Sequence, residues 1–338
     1  MAQTSAQERA ERQLLESFER YDQYVDIVSA FEWLFTDVRV KQVPEYVLHF
    51  ERFPRAKNPS GDELTPDFTA AFKSGNGLVG EIATIAIHEN SVDKLCKQIL
   101  RYDSLTSLPD GSGGRIRCTC DVILLVPFSV GAAAAQRILV DRMANADDSY
   151  KPTRAPIIVQ YAREGEAYVF QRYSDPANGV LVETGREPPI LPRLNIGLKI
   201  RAAQFVAIKA ARAFINDGTD PLYLSTHLWT KTWPTQHGAP RRDPIKVNPA
   251  STANLLRRQH GRGSAGEVRA ALELLAQAGL AAQQAKSGSW EVAWARLTRQ
   301  GDSDIHKIIA RRACGGTPTR SRRLATRTPS AYEQGSLF

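Results

Sequence analysis

The stretch "TPDFTAAFKSGNGLVGEIATIAI", Thr65 to Ile87, holds two apolar runs joined by "KSGNG", whose glycines and asparagine supply the positive φ angles of a tight turn. It predicts a β-hairpin with one acid on each arm, Asp67 and Glu81. With the turn centred near Gly75, antiparallel pairing sets Asp67 opposite Ala83 and Glu81 opposite Thr69. The two carboxylates are then diagonal neighbours, about 7–8 Å apart at Cβ. Either acid alone reads as an ordinary strand residue. Together they are harder to dismiss, because an acid amid a buried apolar run is costly unless it binds something. Such a pair suits one hard divalent cation, Mg2+ or Mn2+, which takes one or two carboxylates and leaves its other positions to water and phosphate oxygens.

Around the hairpin, helical spacing of Leu15, Phe18, Tyr21, Val25, Val28 and Phe31 predicts a long amphipathic helix over 8–35. "PEYVLHFERF" reads as a strand, "SVDKLCKQILRYDSL" as a helix, and "CDVILLVP" as a buried strand. "VGAAAAQRILVDRMANA" reads as a helix, and "APIIVQYAR" and "AYVFQRY" as strands. The order α-β-β-β-α-β-α-β-β implies an α/β fold, a mixed sheet flanked by helices. Residues 1–175 are read as that domain, 176–219 as a connecting segment with a helix over "AAQFVAIKAARAFIND", and 220–314 as a second domain. The segment 315–338 is rich in Gly, Pro, Ser, Thr and Arg and reads as a disordered basic tail.

Charge separates these parts. Residues 241–338 carry seventeen Lys and Arg against seven Asp and Glu, a larger surplus than the +8 of the whole chain, so residues 1–240 are slightly acidic. A basic module beside a near-neutral one is the electrostatic footprint of a polyanion partner, with nucleic acid foremost and a merely solubilising surface as the alternative. The four cysteines form no CxxC pair and have no histidine at zinc spacing. No run approaches the ~18 apolar residues of a membrane span. The expectation is a cytoplasmic, nucleoid-associated protein with reduced thiols and no membrane partner.

Thirteen residues separate Asp67 from Glu81, within "PDF" and "EIA" on strands of an α-β-β-β-α-β chain, and the following helix carries "QILRY". In these features residues 8–173 resemble the PD-(D/E)XK nuclease superfamily, a restriction-endonuclease-like fold. The resemblance implies that Asp67 and Glu81 hold Mg2+, and that Gln98 and Tyr102 are the Q-x-x-x-Y residues of the RecB-type branch bordering the site. It also implies a lysine two residues after the glutamate, where this chain has Ala83. Lys73 lies six residues from Asp67 on its strand, about 20 Å, and is too far to substitute. His88 is about as far from Glu81 on the opposite face. Lys94 shares a helix stripe with Gln98 and Tyr102 and is the replacement best placed, flanked by Lys97 and Arg101; an ordinary solvated face is the competing reading. Glu16 or Glu19 could supply the acid that the family often carries in its first helix.

In the second domain two helices and a hairpin with a basic tip resemble a winged helix-turn-helix. "SAGEVRAALELLAQAG" would be the recognition helix, with Arg257, Arg258, Arg262, Arg269 and Lys286 facing DNA phosphates more than bases. The last five residues, "QGSLF", resemble the motif by which bacterial replication and repair proteins dock on the sliding clamp: Gln334 at the rim of a pocket, with Leu337 and Phe338 inside it. The combined expectation is a metal-dependent DNA nuclease of repair, recombination or defence. A catalytically inactive DNA-binding adaptor or transcriptional regulator is the alternative.

Overall fold

A computed structural model of the chain describes residues 2–40, 46–83, 89–173, 191–238, 243–284, 288–294, 297 and 304–315. They pack as two compact units, residues 22–218 and residues 1–21 with 219–338. This division differs from cuts at 175 and 219: the start of the first helix packs with the C-terminal part of the chain, and 191–218 pack with the larger unit. No helix among the described residues is long and apolar enough to cross a membrane.

The larger unit is an α/β structure around a mixed seven-stranded sheet. In chain order come α1 (Ala2–Thr36, of which residues 22–36 belong here), β1 (Val47–Arg52) and the short pair β2 (Ala56–Lys57) and β3 (Glu63–Leu64). The central hairpin follows as β4 (Phe68–Phe72) and β5 (Asn76–Ile82), then α2 (Glu89–Asp103). A second short pair, β6 (Ser107–Pro109) and β7 (Arg115–Arg117), leads to β8 (Thr119–Pro127). Next is α3 (Gly131–Ala135), which runs on as a π-helix over Gln136–Met143. The unit closes with β9 (Ile157–Glu164), β10 (Ala167–Arg172), α4 (Leu191–Ile196), β11 (Leu198–Arg201) and α5 (Ala202–Ala211). Across the sheet the strands run β1-β4-β5-β8-β9-β10-β11. β5, β8 and β9 are parallel and the outer pairs antiparallel.

Alternation along the strands explains why both faces are covered. Phe68, Ala70 and Phe72 on β4, with Leu78 and Ile82 on β5, face a core shared with Phe31, Leu34 and Phe35 of α1 and with Phe205 of α5. Ala71, Val79, Ala83, Val122 and Leu124 face the opposite core with Leu95 and Ile99 of α2 and Ile138 of the π-helix. Crossovers between parallel strands need a helix, and α2 and α3 provide the two covering this second face.

Two expectations change here. Residues 191–201, expected only as part of the connecting segment, form α4 and the edge strand β11; its four residues are too few for periodicity to reveal, and only Ile200, paired with Tyr168, is buried. The helix expected through Asp217 ends at Ala211, where Arg212 leaves helical geometry (φ −130°, ψ 65°). Burial of Ala213, Phe214 and Ile215 in extended chain is preferred to another helical turn.

The hairpin register also differs from expectation. Thr69 pairs with Val79 and Ala71 with Gly77, leaving Lys73, Ser74 and Gly75 in the turn, whose centre is Ser74. Gly75 occupies the left-handed position that ends a three-residue turn (φ 79°), not its middle, and this moves the partner strand by two residues.

The smaller unit contains α6 (Pro221–His227), running on as a π-helix over Leu228–Thr232, and α7 (Trp233–His237). A three-stranded antiparallel sheet of order β12-β14-β13 (Ile245–Val247, Trp290–Val292, Ala281–Gln283) frames α8 (Pro249–His260) and α9 (Ala265–Gln277), and α10 (Ile305–Cys314) follows. Its local signals are strong. Asn248 caps α8 by accepting from Ser251 N–H at 3.0 Å, and Gly261 ends it in left-handed geometry (φ 74°). Ser264 and Glu267 form a reciprocal capping box on α9. Val268, Leu272 and Leu275 are fully buried, and Trp229 and Trp233 fill the unit's interior.

Gly80 pairs directly with Phe68, and a Cβ on Gly80 would lie 2.1 Å from the Phe68 ring. Phe68 is fully buried and has nowhere to move. Gly80→Ala is expected to destabilise the larger unit by about 1–3 kcal/mol, read as a lower denaturant midpoint for that unit's transition. A variant as stable as the parent would contradict this packing.

Candidate functional site

The shortened turn brings the two acids closer than expected. The ladder ends with Phe68 opposite Gly80, so Asp67, just before β4, lies at the strand end beside Glu81 and not opposite Ala83. The backbone holds Asp67 on both sides: its N–H donates to Gly80 O at 3.0 Å, and its carbonyl accepts from Phe53 N–H at 3.0 Å. Phe53 takes a left-handed backbone (φ 51°), the only non-glycine among the described residues to do so. A bulky residue there is held by its surroundings against its own preference.

Neutral donors hold the side chains. Tyr24, on α1, donates its hydroxyl to Asp67 Oδ1, and Ile82 N–H donates to Asp67 Oδ2 at 2.6 Å. From α2, Gln98 Nε2 donates to Glu81 Oε1 at 2.8 Å and the Tyr102 hydroxyl donates to Glu81 Oε2 at 2.9 Å. Gln98 Nε2 also lies 2.7 Å from the Tyr102 hydroxyl oxygen. The i, i+4 spacing expected for this pair therefore puts both side chains on one carboxylate.

Electrostatics distinguish this pair from the other buried acids of the unit. Asp26 has Lys209 at 2.6 Å, Glu32 has Arg52 at 3.4 Å, and Asp121 has Arg154 at 2.6 Å. Among the described residues no Lys or Arg lies within 4.0 Å of Asp67 or Glu81. Asp67 is 5% exposed. Burial, aided by the charge of Asp217, pushes its carboxyl up to about 7 against the pull of the Tyr24 and Ile82 donors. Burial first, and then the neighbouring Asp67, push Glu81 well above the carboxylate range. Tyr24 and Tyr102 are pushed upward by burial and by these acids, so both remain protonated donors.

Lys94, Lys97 and Arg101 are exposed and line a hollow of about 330 Å³ with Gln98, Tyr102 and Glu63. Arg101 lies 3.9 Å from Asp62 at its edge. Lys73 is exposed on the hairpin turn. Glu16 and Glu19 are exposed on residues 1–21, which pack in the other unit, and the same helix sends Tyr24 to Asp67. Asp217, exposed in the extended chain after α5, is a third acid acting on the pair. An aromatic at a half-buried helix position reads as core, and an acid after an expected helix end carries no motif. Only the arrangement in space identifies these two. In the smaller unit Arg257 and Arg258 are exposed on the last turn of α8, Arg262 follows it half-buried, and Arg269 is exposed on α9. His88, Lys286, Gln334, Leu337 and Phe338 lie outside the described residues.

Among the described residues no group of three or more His, Cys, Asp and Glu side chains is arranged to hold a metal ion. The donor set is two carboxylates, each of whose oxygens already accepts one hydrogen bond and retains a second lone pair. Two carboxylates with free lone pairs and no cationic partner match the part of a Mg2+ shell that proteins usually supply.

A carboxyl whose folded pKa exceeds its unfolded value binds its proton more tightly in the native state, so it adds stability at low pH that is lost as pH rises through the folded value. In chelator, Asp67 should therefore stabilise the protein as pH falls from about 7 toward about 4, by at most ~1.4 kcal/mol per pH unit. His227, held down to about 3 by burial and by His260, acts in the opposite sense, so the measurement is the difference between the parent and Asp67→Asn. Identical pH profiles of thermal unfolding in the two proteins would exclude the raised carboxyl. No known protein family, curated protein or solved structure matches this chain.

Proposed function

We propose that the larger unit is a metal-dependent DNA nuclease domain of the PD-(D/E)XK kind, acting in repair, recombination or defence. The smaller unit is then a winged helix that holds the DNA, and the C-terminal Gln334, Leu337 and Phe338 dock on a sliding clamp. The observation that carries this reading is the neighbouring pair of buried Asp67 and half-buried Glu81, with no described Lys or Arg within 4.0 Å in a unit whose other buried acids have one. A buried charge is expected to be paired, protonated or ligating, and two adjacent acids cannot both stay ionised unless a cation joins them.

Asp67 and Glu81 would hold Mg2+ or Mn2+, which when bound supplies an activated water and charge neutralisation at the phosphate. Tyr24 and the Ile82 amide fix the Asp67 carboxylate, and Gln98 and Tyr102 fix Glu81, so neither needs to reorient as substrate arrives. Lys94 shares the wall of the hollow with Gln98 and Tyr102 and is the group available to counter charge developing on the phosphate. In the smaller unit Arg257, Arg258 and Arg269 present exposed charge on α8 and α9, suited to phosphates and to weak sequence preference.

A second reading, a catalytically inactive DNA-binding adaptor or transcriptional regulator, is favoured by Ala83 in place of the lysine and by the absence of any described cation within 4.0 Å of the carboxylates. Incubation with linear and plasmid DNA in Mg2+ or Mn2+ separates the two. The nuclease reading expects cleavage that chelator abolishes, that Asp67→Ala and Glu81→Ala each lower by at least ~100-fold, and that Lys94→Ala lowers by roughly 10–100-fold. Metal-independent cleavage, or none with the parent protein, sinks it. Unchanged activity in Lys94→Ala removes only the lysine from the mechanism.

Binding of the DNA to the smaller unit should be electrostatic and steeply salt-dependent. Replacing Arg257, Arg258 or Arg269 by Gln should weaken binding of unrelated sequences alike, and each should flatten the slope of log K against log salt by about one unit. A salt slope unaffected by all three substitutions places the DNA elsewhere.

A further inference from the structure

We infer that the hollow between β3 and α2 is a receptor for the terminal phosphate of a DNA strand, so that the protein engages strand ends. This deepens the nuclease reading and rests on it for the identity of the polyanion. The hollow has walls of unlike character. On α2, Lys94, Lys97 and Arg101 follow one another at i, i+3 and i+7 and all open to it, while Glu63 of β3 is the one acid among its lining residues. Three cations on successive turns of one helix face repel one another at rest, and that repulsion is relieved by an anion held among them.

The charge present discriminates between kinds of phosphate. An internal phosphodiester carries a single negative charge, whereas a terminal monoester carries nearly two at neutral pH and offers three acceptor oxygens. Three cations opposed by Glu63 in the lining, with only the weakly held Asp62 at the edge, match the second better than the first. Volume points the same way: about 330 Å³ is at the small end of ligand sites, enough for one residue of a strand rather than a length of it. Arg101 is engaged only at 3.9 Å with the half-exposed Asp62, a surface pairing of little energy that a phosphate would readily replace.

The hollow is also connected to the carboxylates. Gln98 and Tyr102 line it and at the same time donate to Glu81 at 2.8 and 2.9 Å. A strand end seated there is therefore gripped by the same helix turn that fixes Glu81, with the following linkages of the strand on the side of the acids. The two roles divide along α2: Gln98 and Tyr102 face the acids, and Lys97 and Arg101 face only the hollow.

The test uses fluorescein-labelled single strands of ten nucleotides in chelator, so that binding is read by anisotropy without cleavage. One arm carries a 5′ phosphate, another a 3′ phosphate, and their controls end in hydroxyls. A phosphate at one of the two ends should tighten binding about 5–10-fold. Paired Lys97→Gln and Arg101→Gln substitutions should reduce that preference below about twofold, while Lys73→Gln on the hairpin turn should retain it; all three positions are exposed, and folding is checked by circular dichroism. Equal affinity for phosphate and hydroxyl ends in both arms overturns the inference, and so does a preference that survives the paired substitution. Cleavage assays fail independently: a phosphate preference with no metal-dependent cutting rejects the nuclease and leaves the receptor, whereas efficient cutting of closed circular single strands without any end preference rejects the receptor and leaves the nuclease.

Discussion

Asp67 and Glu81 lie close together at the end of the central hairpin, where desolvation opposes ionisation of both and the charge of Asp67 further opposes that of Glu81, and the architecture of the larger unit answers that constraint from both faces of the sheet. Tyr24 comes from α1, on the face that holds the Phe31, Phe68 and Phe170 cluster, and Gln98 and Tyr102 come from α2 on the other face. Each helix must pack closely to bring its polar group to the strand end. The cores explain how: fully buried Phe31, Leu34 and Phe35 anchor α1, and buried Leu95, Ile99 and Tyr102 anchor α2. Burial of these side chains stabilises by roughly 10–20 kcal/mol in gross terms, enough to hold an unfavourable pair of a few kcal/mol in place.

The choice of donors matters as much as their number. Hydroxyl, amide and backbone N–H groups orient a carboxylate without cancelling its charge, and both tyrosines are held protonated by the surroundings that raise the acids. Asp26, Glu32 and Asp121 in the same unit are treated differently, with lysine or arginine alongside, and they act as internal ties between α1, α5 and the strands. One protein thus contains both solutions for a buried acid. The neutral-donor solution leaves an electron-rich, preorganised pair, and the ion-pair solution leaves nothing for a ligand to gain.

The hairpin, its two acids and the Gln98–Tyr102 stripe were legible because each depends on local chemistry: apolar alternation, a glycine-containing turn and i, i+4 spacing. Register was not, because a one-position change in the turn's centre moves every pairing by two, and "KSGNG" accommodates either centre. Tyr24 was hidden by its own suitability for a helix stripe, and Asp217 by a helix that stops at Ala211 for the sake of burying Ala213, Phe214 and Ile215. Both are decided by contacts distant in sequence. In the smaller unit the capping box at Ser264 and Glu267 and the left-handed Gly261 make the helix boundaries plain, and the expected hairpin is present as β13 and β14, while the third strand, β12, has three residues, too few for alternation to signal.

Under the proposed nuclease reading Ala83 is the remaining departure, and its surroundings give it a physical reason. It lies two residues after Glu81 on the same strand face, buried in the cluster that contains Val92, Leu95, Cys96 and Ile99. A lysine there adds three carbons and an ammonium beyond Cβ to a filled core, and overpacking of that kind costs about 1–3 kcal/mol unless α2 moves away. Moving α2 outward would withdraw Gln98 and Tyr102 from Glu81. A lysine at 83 and the close approach of α2 are therefore competing ways of serving the same carboxylate, and this chain has the second. The consequence is a separation of charge: buried Asp67 and half-buried Glu81 sit on the inner side of α2, and the cations of α2 stand on its solvent side, where salt screens them and a bound polyanion would draw them together.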